Sequence, residues 1–211
     1  MGCGQSKQKT DNSKDNNSNN SLKIKDSKNI NDKEKKGYEI KICLLGDVAV
    51  GKTSIASRFC KNIFNETYIN TIGGAYQQQN ILLDNGAKMK MHVWDTSGDE
   101  RFKSMTNLYY RDAQVAILTY DVTNPQTFEG LGYWLKELND KVNRGNMLLF
   151  LAGNKCDVEN DMKRVSSTHA KEFAEQNNMF FFETSAKTGA GIKDLFKTIA
   201  TKEYELLIKK D

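Results

Sequence analysis

The chain has 211 residues, a formal net charge of +4 and four cysteines, Cys3, Cys43, Cys60 and Cys156. That length suits one domain with an appendage, and the cysteines have neither disulfide-framework nor metal-ligand spacing. No apolar run approaches the roughly 18 residues of a membrane span, and the start has no signal-peptide apolar core.

The charge is unevenly placed. Residues 1–36 hold nine lysines against five acids, whereas residues 37–211 hold 22 basic and 22 acidic residues. The second part therefore lacks the electrostatic footprint of a nucleic-acid binder, and no such partner is expected. Residues 1–36 contain only Leu22, Ile24 and Ile30 as large apolar residues after Met1. Such a composition buries too little surface to offset ordering, so these residues are expected to form a disordered tail and 37–211 the folded domain. At the tail's start, Met1-Gly2-Cys3-Gly4-Gln5-Ser6 fits the myristoylation pattern M-G-x-x-x-[ST] on Gly2. Cys3 beside it is a candidate for palmitoylation. One acyl chain holds a membrane only marginally; Cys3, or Lys7, Lys9 and Lys14, would supply the second signal. Residues 206–211 contain no cysteine, so prenylation there is not expected.

From residue 39 strands and helices alternate. Strands are predicted at 39–45, 76–83, 88–94, 115–120, 147–152 and 179–183. Helices are predicted at 52–62, within 95–111, at 125–143, from a Ser166 cap to 176, and at 192–209. Asp84-Asn85-Gly86 is a hairpin signal joining the second and third strands. The pattern implies an α/β fold: a doubly wound, mostly parallel six-stranded sheet with one antiparallel edge strand. Cys43 and Cys60 read as core residues, His92 and His169 as structural or solvated ones, and 179–182 as core strand.

The informative segments follow strand ends, where such sheets bind ligands. After the first strand comes Gly46-Asp47-Val48-Ala49-Val50-Gly51-Lys52-Thr53, of the form GxxxxGK[ST], followed by Ser54 and a helix. Successive backbone N–H groups of such a loop surround a phosphate. Lys52 would meet the terminal phosphates and Thr53 would hold Mg²⁺. After the third strand comes Asp95-Thr96-Ser97-Gly98, with Asp95 on the metal through water and the Gly98 amide on a γ-phosphate. Thr71 offers a second hydroxyl to the metal. After the fifth strand, Asn154-Lys155-Cys156-Asp157 places a carboxylate, Asp157, to accept from N1 and the 2-amino group of guanine. Adenine would leave that carboxylate unpaired, and polar sites of this kind discriminate by roughly 10⁴–10⁵. Lys155 would lay its stem on the base, Asn154 tie the loop, and Phe64 stack nearby. After the sixth strand, Ala186 in Glu183-Thr184-Ser185-Ala186-Lys187 would offer its N–H to the guanine O6. Ser185 and Lys187 flank it in the nucleotide site.

These motifs, in this order, resemble the small Ras-like GTPases over about residues 38–208, and within them the Rabs. Thr71-Ile72-Gly73, Trp94-Asp95-Thr96 and Tyr109-Tyr110-Arg111 fit the Rab pattern, and Tyr76, Trp94 and Tyr109 match its effector-binding aromatic triad. Ala49 to Lys52, Lys136-Glu137-Leu138 and Glu183 to Lys187 are most similar to the early-endosomal Rabs, and the acylation signal resembles their N-myristoylated branch. The resemblance implies a P-loop GTPase that binds GTP or GDP with Mg²⁺ and hydrolyses GTP. It also implies a monomer on the cytoplasmic face of endosomal, vesicle or plasma membranes, with an exchange factor, a GTPase-activating protein and effectors as partners. An ATP-using phosphotransferase is the rival that Asp157 disfavours.

The chain departs from this family at hydrolysis. Asp99 follows Gly98 where Ras-like GTPases usually carry the Gln that orients water. An ionised Asp has no donor, and like charges about 5 Å apart at an effective dielectric near 20 repel by on the order of 3 kcal/mol. Asp99, taken with Gly98 and Lys52 as the catalytic set, is thus expected to turn outward. Val48 would crowd an incoming catalytic group. A very slow, persistently GTP-bound scaffold is the alternative reading.

Overall fold

The computed structural model describes residues 37–67, 69–141 and 147–209. Gly2, Cys3 and the rest of the predicted tail lie outside them, as does the predicted helix end at 143. The elements run β1 (Tyr38–Leu45), α1 (Lys52–Lys61), β2 (Gly74–Leu82), β3 (Lys88–Thr96), α2 (Lys103–Tyr110), β4 (Val115–Asp121), α3 (Pro125–Glu129), α4 (Leu131–Lys141), β5 (Leu148–Asn154), α5 (Ser167–Gln176), β6 (Met179–Glu183) and α6 (Ile192–Leu207). The sheet order is β2-β3-β1-β4-β5-β6. β2 is antiparallel to β3 and every other pairing is parallel.

Burial follows position in the sheet. Every residue of the central β4 is buried, because helices cover both faces and no polar alternation is needed. β3, next to the edge, alternates, with Met89, Met91 and Val93 inward. Ile40, Ile42, Leu44, Ile117 and Phe150 meet Ile55 of α1 and Leu195, Phe196 and Ile199 of α6 on one face. Cys43, Leu45, Leu118, Leu149 and Leu151 meet Tyr110 of α2, Trp134 and Leu138 of α4, and Ala170 of α5 on the other. At the hairpin, Gly86 N donates to Leu83 O at 2.8 Å and Asn85 Oδ1 accepts from Ala87 N at 2.9 Å. Ser166 caps α5, its Oγ accepting from His169 N at 3.2 Å.

The structure corrects the helix predicted at 125–143, which is two helices. Asn124 caps α3 with Pro125 in the first turn, and Gly130 closes it, its N–H donating to Gln126 O at 2.9 Å. A Cβ on Gly130 would lie 2.3 Å from Asp47 Oδ2. The break therefore carries the phosphate loop's aspartate, which also accepts from Trp134 Nε1 at 3.3 Å. β2 begins two residues earlier than predicted because β3 runs on to Thr96 and keeps pairing back to Gly74.

Register brings the motif-bearing ends together. Leu44 lies opposite Asp95, Leu45 opposite Leu118, Asp121 opposite Asn154 and Gly153 opposite Glu183. The turn out of β1 is fitted tightly: Gly46 has φ +139°, and a Cβ there would lie 2.2 Å from Thr119 O. Gly46→Ala should therefore destabilise the protein by more than about 2 kcal/mol. A Cβ on Gly132, in the first turn of α4, meets nothing within 4 Å, so Gly132→Ala should stabilise by about 0.5–1 kcal/mol. Urea midpoints at unchanged m-value would show the opposite signs.

Candidate nucleotide-binding site

The C-terminal strand ends open into one cleft of about 510 Å³. The phosphate loop forms its floor. Gly51, with φ 97°, caps α1 without any capping side chain, so the first-turn N–H groups remain available to an anion. Val48, Ala49, Gly51, Lys52, Thr53 and Ser54 all line the cleft. Lys52 is buried and curls back on its own loop, donating from Nζ to Gly46 O at 2.8 Å and Asp47 O at 2.7 Å. Burial pushes its ammonium down to about 8, opposed by Asp95 and Asp47. Asp47 and Val50 do not line the cleft: Asp47 turns to Gly130 and Trp134, and Val50 is fully buried.

Beside Lys52 are the oxygen donors. Thr53 Oγ1 and Thr71 Oγ1 are 2.8 Å apart, joining the loop after α1 to the phosphate loop. Asp95 is fully buried, and among the described residues no hydrogen bond reaches either carboxylate oxygen. Burial raises its pKa, opposed by Thr53, Lys52 and Thr71. A buried carboxylate beside two hydroxyls is a place where a bound cation would offset desolvation, and hard oxygen donors of this kind suit Mg²⁺. Gly98 approaches closely from the turn after β3, since a Cβ there would lie 2.3 Å from the Asp47 carbonyl carbon.

At the opposite end, the buried Asn154 amide joins three segments. Its Nδ2 donates to Val50 O at 2.8 Å, and its Oδ1 accepts from Ala186 N at 3.2 Å and Thr184 Oγ1 at 3.3 Å. Ser185 Oγ donates to Asp157 Oδ1 at 2.6 Å, so Ser185 fixes the carboxylate rather than lining the cleft itself. Phe64, Lys155, Asp157, Ala186 and Lys187 do line it. Two supporting residues escaped the sequence reading. Asp121 Oδ2 holds Lys155 Nζ at 2.5 Å; a charged residue ending an otherwise apolar strand was the available signal. Arg58 of α1 donates to Ala186 O at 2.8 Å and Lys187 O at 2.7 Å, and nothing in helical periodicity marks it.

Asp99 does not line the cleft, although Gly98 does. Its carboxylate caps the short helical turn Glu100–Phe102 and is gripped by Arg101, which holds it down at about 2. Val48 is 42% exposed at the cleft's rim. Tyr76, Trp94 and Tyr109 form a continuous aromatic surface, with ring centroids 5.2 and 5.7 Å apart. His92 braces it: the Tyr76 hydroxyl is 2.7 Å from Nδ1 and Glu39 is 3.1 Å from Nε2. At the base end, Asp157→Asn should lower the preference for GTP over ATP about 100-fold by removing two charge-assisted acceptor sites. The same variant should improve binding of xanthosine triphosphate, and competition titrations would measure both.

A profile of the Ras family matches residues 41–205. The chain is 41% identical to the Ras-related protein Rab-5B of Plasmodium falciparum, over 97% of this chain and 94% of that one. It is 44% identical to the Ras-related protein RABF2a of Arabidopsis thaliana over 78% and 81%. It is 40% identical to the Ras-related protein Rab11A of Lotus japonicus over 82% and 75%. The chain accordingly binds GTP or GDP with Mg²⁺ and hydrolyses GTP. The chain belongs to the Ras family, as a Rab-type small GTPase.

Proposed function

We propose that this GTPase is a membrane-anchored switch in vesicular or endosomal traffic that recruits effectors while GTP is bound. The observation that carries the nucleotide half is the meeting of the phosphate loop, the Thr53–Thr71–Asp95 donors and the Asn154-centred base loops in one cleft. Lys52 neutralises terminal phosphate charge, the Gly98 amide faces the γ-phosphate, and Thr53, Thr71 and Asp95 hold Mg²⁺, which supplies further charge neutralisation. In hydrolysis the water oxygen bonds to the γ-phosphorus as the bridging P–O bond breaks. GDP leaves with that electron pair, and the water's proton ends on inorganic phosphate. The loops carrying Thr71 and Gly98 tighten on the γ-phosphate and relax after its loss. That cycle presents or withdraws the neighbouring Tyr76, Trp94 and Tyr109, the effector surface. An exchange factor and a GTPase-activating protein set its timing, and the protein acts as a monomer.

The anchor reading rests on Gly2 and Cys3 within the M-G-x-x-x-S motif and on the tail's lysines. The match to the Rab-5B relative covers 97% of the chain and so extends into these first 36 residues. Lysines near anionic lipid each add about 1 kcal/mol. Gly2→Ala should move the protein from the membrane pellet to the cytosolic fraction, and Cys3→Ser should leave weak, reversible binding. Persistent pelleting of Gly2→Ala would transfer the anchoring role to a partner protein.

Asp99, held outside the cleft, leaves no side-chain amide for the attacking water, and this favours a long-lived GTP state. Intrinsic single-turnover hydrolysis should be no faster than the ~3–5 × 10⁻⁴ s⁻¹ scale of Ras. Asp99→Gln should raise it several-fold, and more when combined with Val48→Ser. A wild-type rate well above that scale, or no gain from Asp99→Gln, would refute the slow switch. Rates near zero even with Asp99→Gln would favour the persistently GTP-bound scaffold.

A further inference from the structure

The grip on Asp99 is more elaborate than a turn cap requires. Arg101 N donates to Oδ1 at 2.9 Å, Nε to both carboxylate oxygens at 3.0 Å, and Nη2 to Oδ2 at 2.6 Å. Asp99 N in turn donates to Ser97 Oγ at 3.2 Å. Only a guanidinium spans both oxygens in this way. The Asp99 side chain is 15% exposed, whereas the Arg101 side chain is 71% exposed and has no stake in the core. The residue before Asp99 lines the cleft, and its own close contact is with the phosphate loop. A carboxylate at position 99 free to rotate would therefore add negative charge beside the terminal phosphate.

We propose that Arg101 is a positioning residue of the GTP-bound state, whose guanidinium keeps the Asp99 carboxylate out of the cleft and away from the γ-phosphate. The pair lets this chain carry an acid where an acid would otherwise disfavour the triphosphate. GDP, which lacks the γ-phosphate, is indifferent to the arrangement. The proposal rests on the reading of Gly98 as the γ-phosphate contact. Its signature is a change in the ratio of GTP to GDP affinity, which a merely structural cap would leave alone.

The test compares GTP and GDP affinities of the full chain, with saturating Mg²⁺, for wild type, Arg101→Ala, Arg101→Lys and Asp99→Asn/Arg101→Ala. Arg101→Ala should lower the GTP:GDP affinity ratio at least about tenfold, the scale of a partly screened like-charge pair. GDP affinity and the unfolding midpoint of the GDP form should hold, since the side chain is exposed. Arg101→Lys should fall between wild type and Arg101→Ala, because an ammonium keeps the charge and lacks the planar fork that fixes the carboxylate's orientation. Removing the charge in Asp99→Asn/Arg101→Ala should restore the wild-type ratio. An unchanged ratio in Arg101→Ala, or a lowered ratio that Asp99→Asn does not rescue, overturns the proposal. Asp157→Asn, assayed alongside, separates that failure from failure of the cleft reading. In the first case GTP binding still depends on Asp157; in the second it does not.

Discussion

One buried side-chain amide holds the site together. Asn154 donates to the phosphate loop at Val50 and accepts from the base loop at Thr184 and Ala186. The amide is 2% exposed, so these bonds exchange little with water, and each unsatisfied partner would carry the full cost of desolvation. Neither side of the residue can be altered alone. A carboxylate would lose the donor to Val50, and a longer amide would have to fold back to reach both loops. Gly51 adds a steric reason, since a Cβ there would lie 2.2 Å from Asn154 Nδ2. Glycine on one loop and asparagine on another are thus a single packing decision.

At the other end, charge replaces hydrogen bonding as the organising force. Asp95 lies near the end of β3, fully buried between β1 and β2, with neither oxygen hydrogen-bonded by the described residues. Lys52, also buried, donates to carbonyls of its own loop. Opposite charges in such a medium attract strongly but do not by themselves repay their dehydration. On the proposed reading, a polyanion with its cation would complete this arrangement: Lys52 would exchange loop carbonyls for phosphate, and Asp95 would gain a counter-charge. The binding groups are costly to the empty fold, which is a common property of functional sites.

The sheet and the cleft were largely legible because the signals were local. A phosphate loop is eight consecutive residues, and the base motifs are short runs at the ends of apolar strands. The helix break at Gly130 had a local signal in the glycine itself; what local sequence does not carry is the Asp47 carboxylate packed against it, more than eighty positions away in the chain. Arg58 was missed for a similar reason: its partners are carbonyls of Ala186 and Lys187, and carbonyls leave no mark in sequence. His92 read as a structural or solvated residue because its role depends on a cross-strand neighbour, Tyr76, and a residue of β1, Glu39. Asp99 was recognisable as a departure, but its two-residue partnership with Arg101 became apparent only from side-chain geometry.

The Arg58 contact bears on how a ligand leaves. α1 begins at the phosphate loop with Lys52 and, a turn and a half later, grips the backbone of the base loop through Arg58. A rigid helix is thereby pinned at both extremities of the cleft. Swinging the base loop aside pulls on the helix that carries the phosphate loop, and lifting the phosphate loop strains the base loop. The two ends of the cleft are accordingly coupled through one helix, so a displacement at either end is felt at the other.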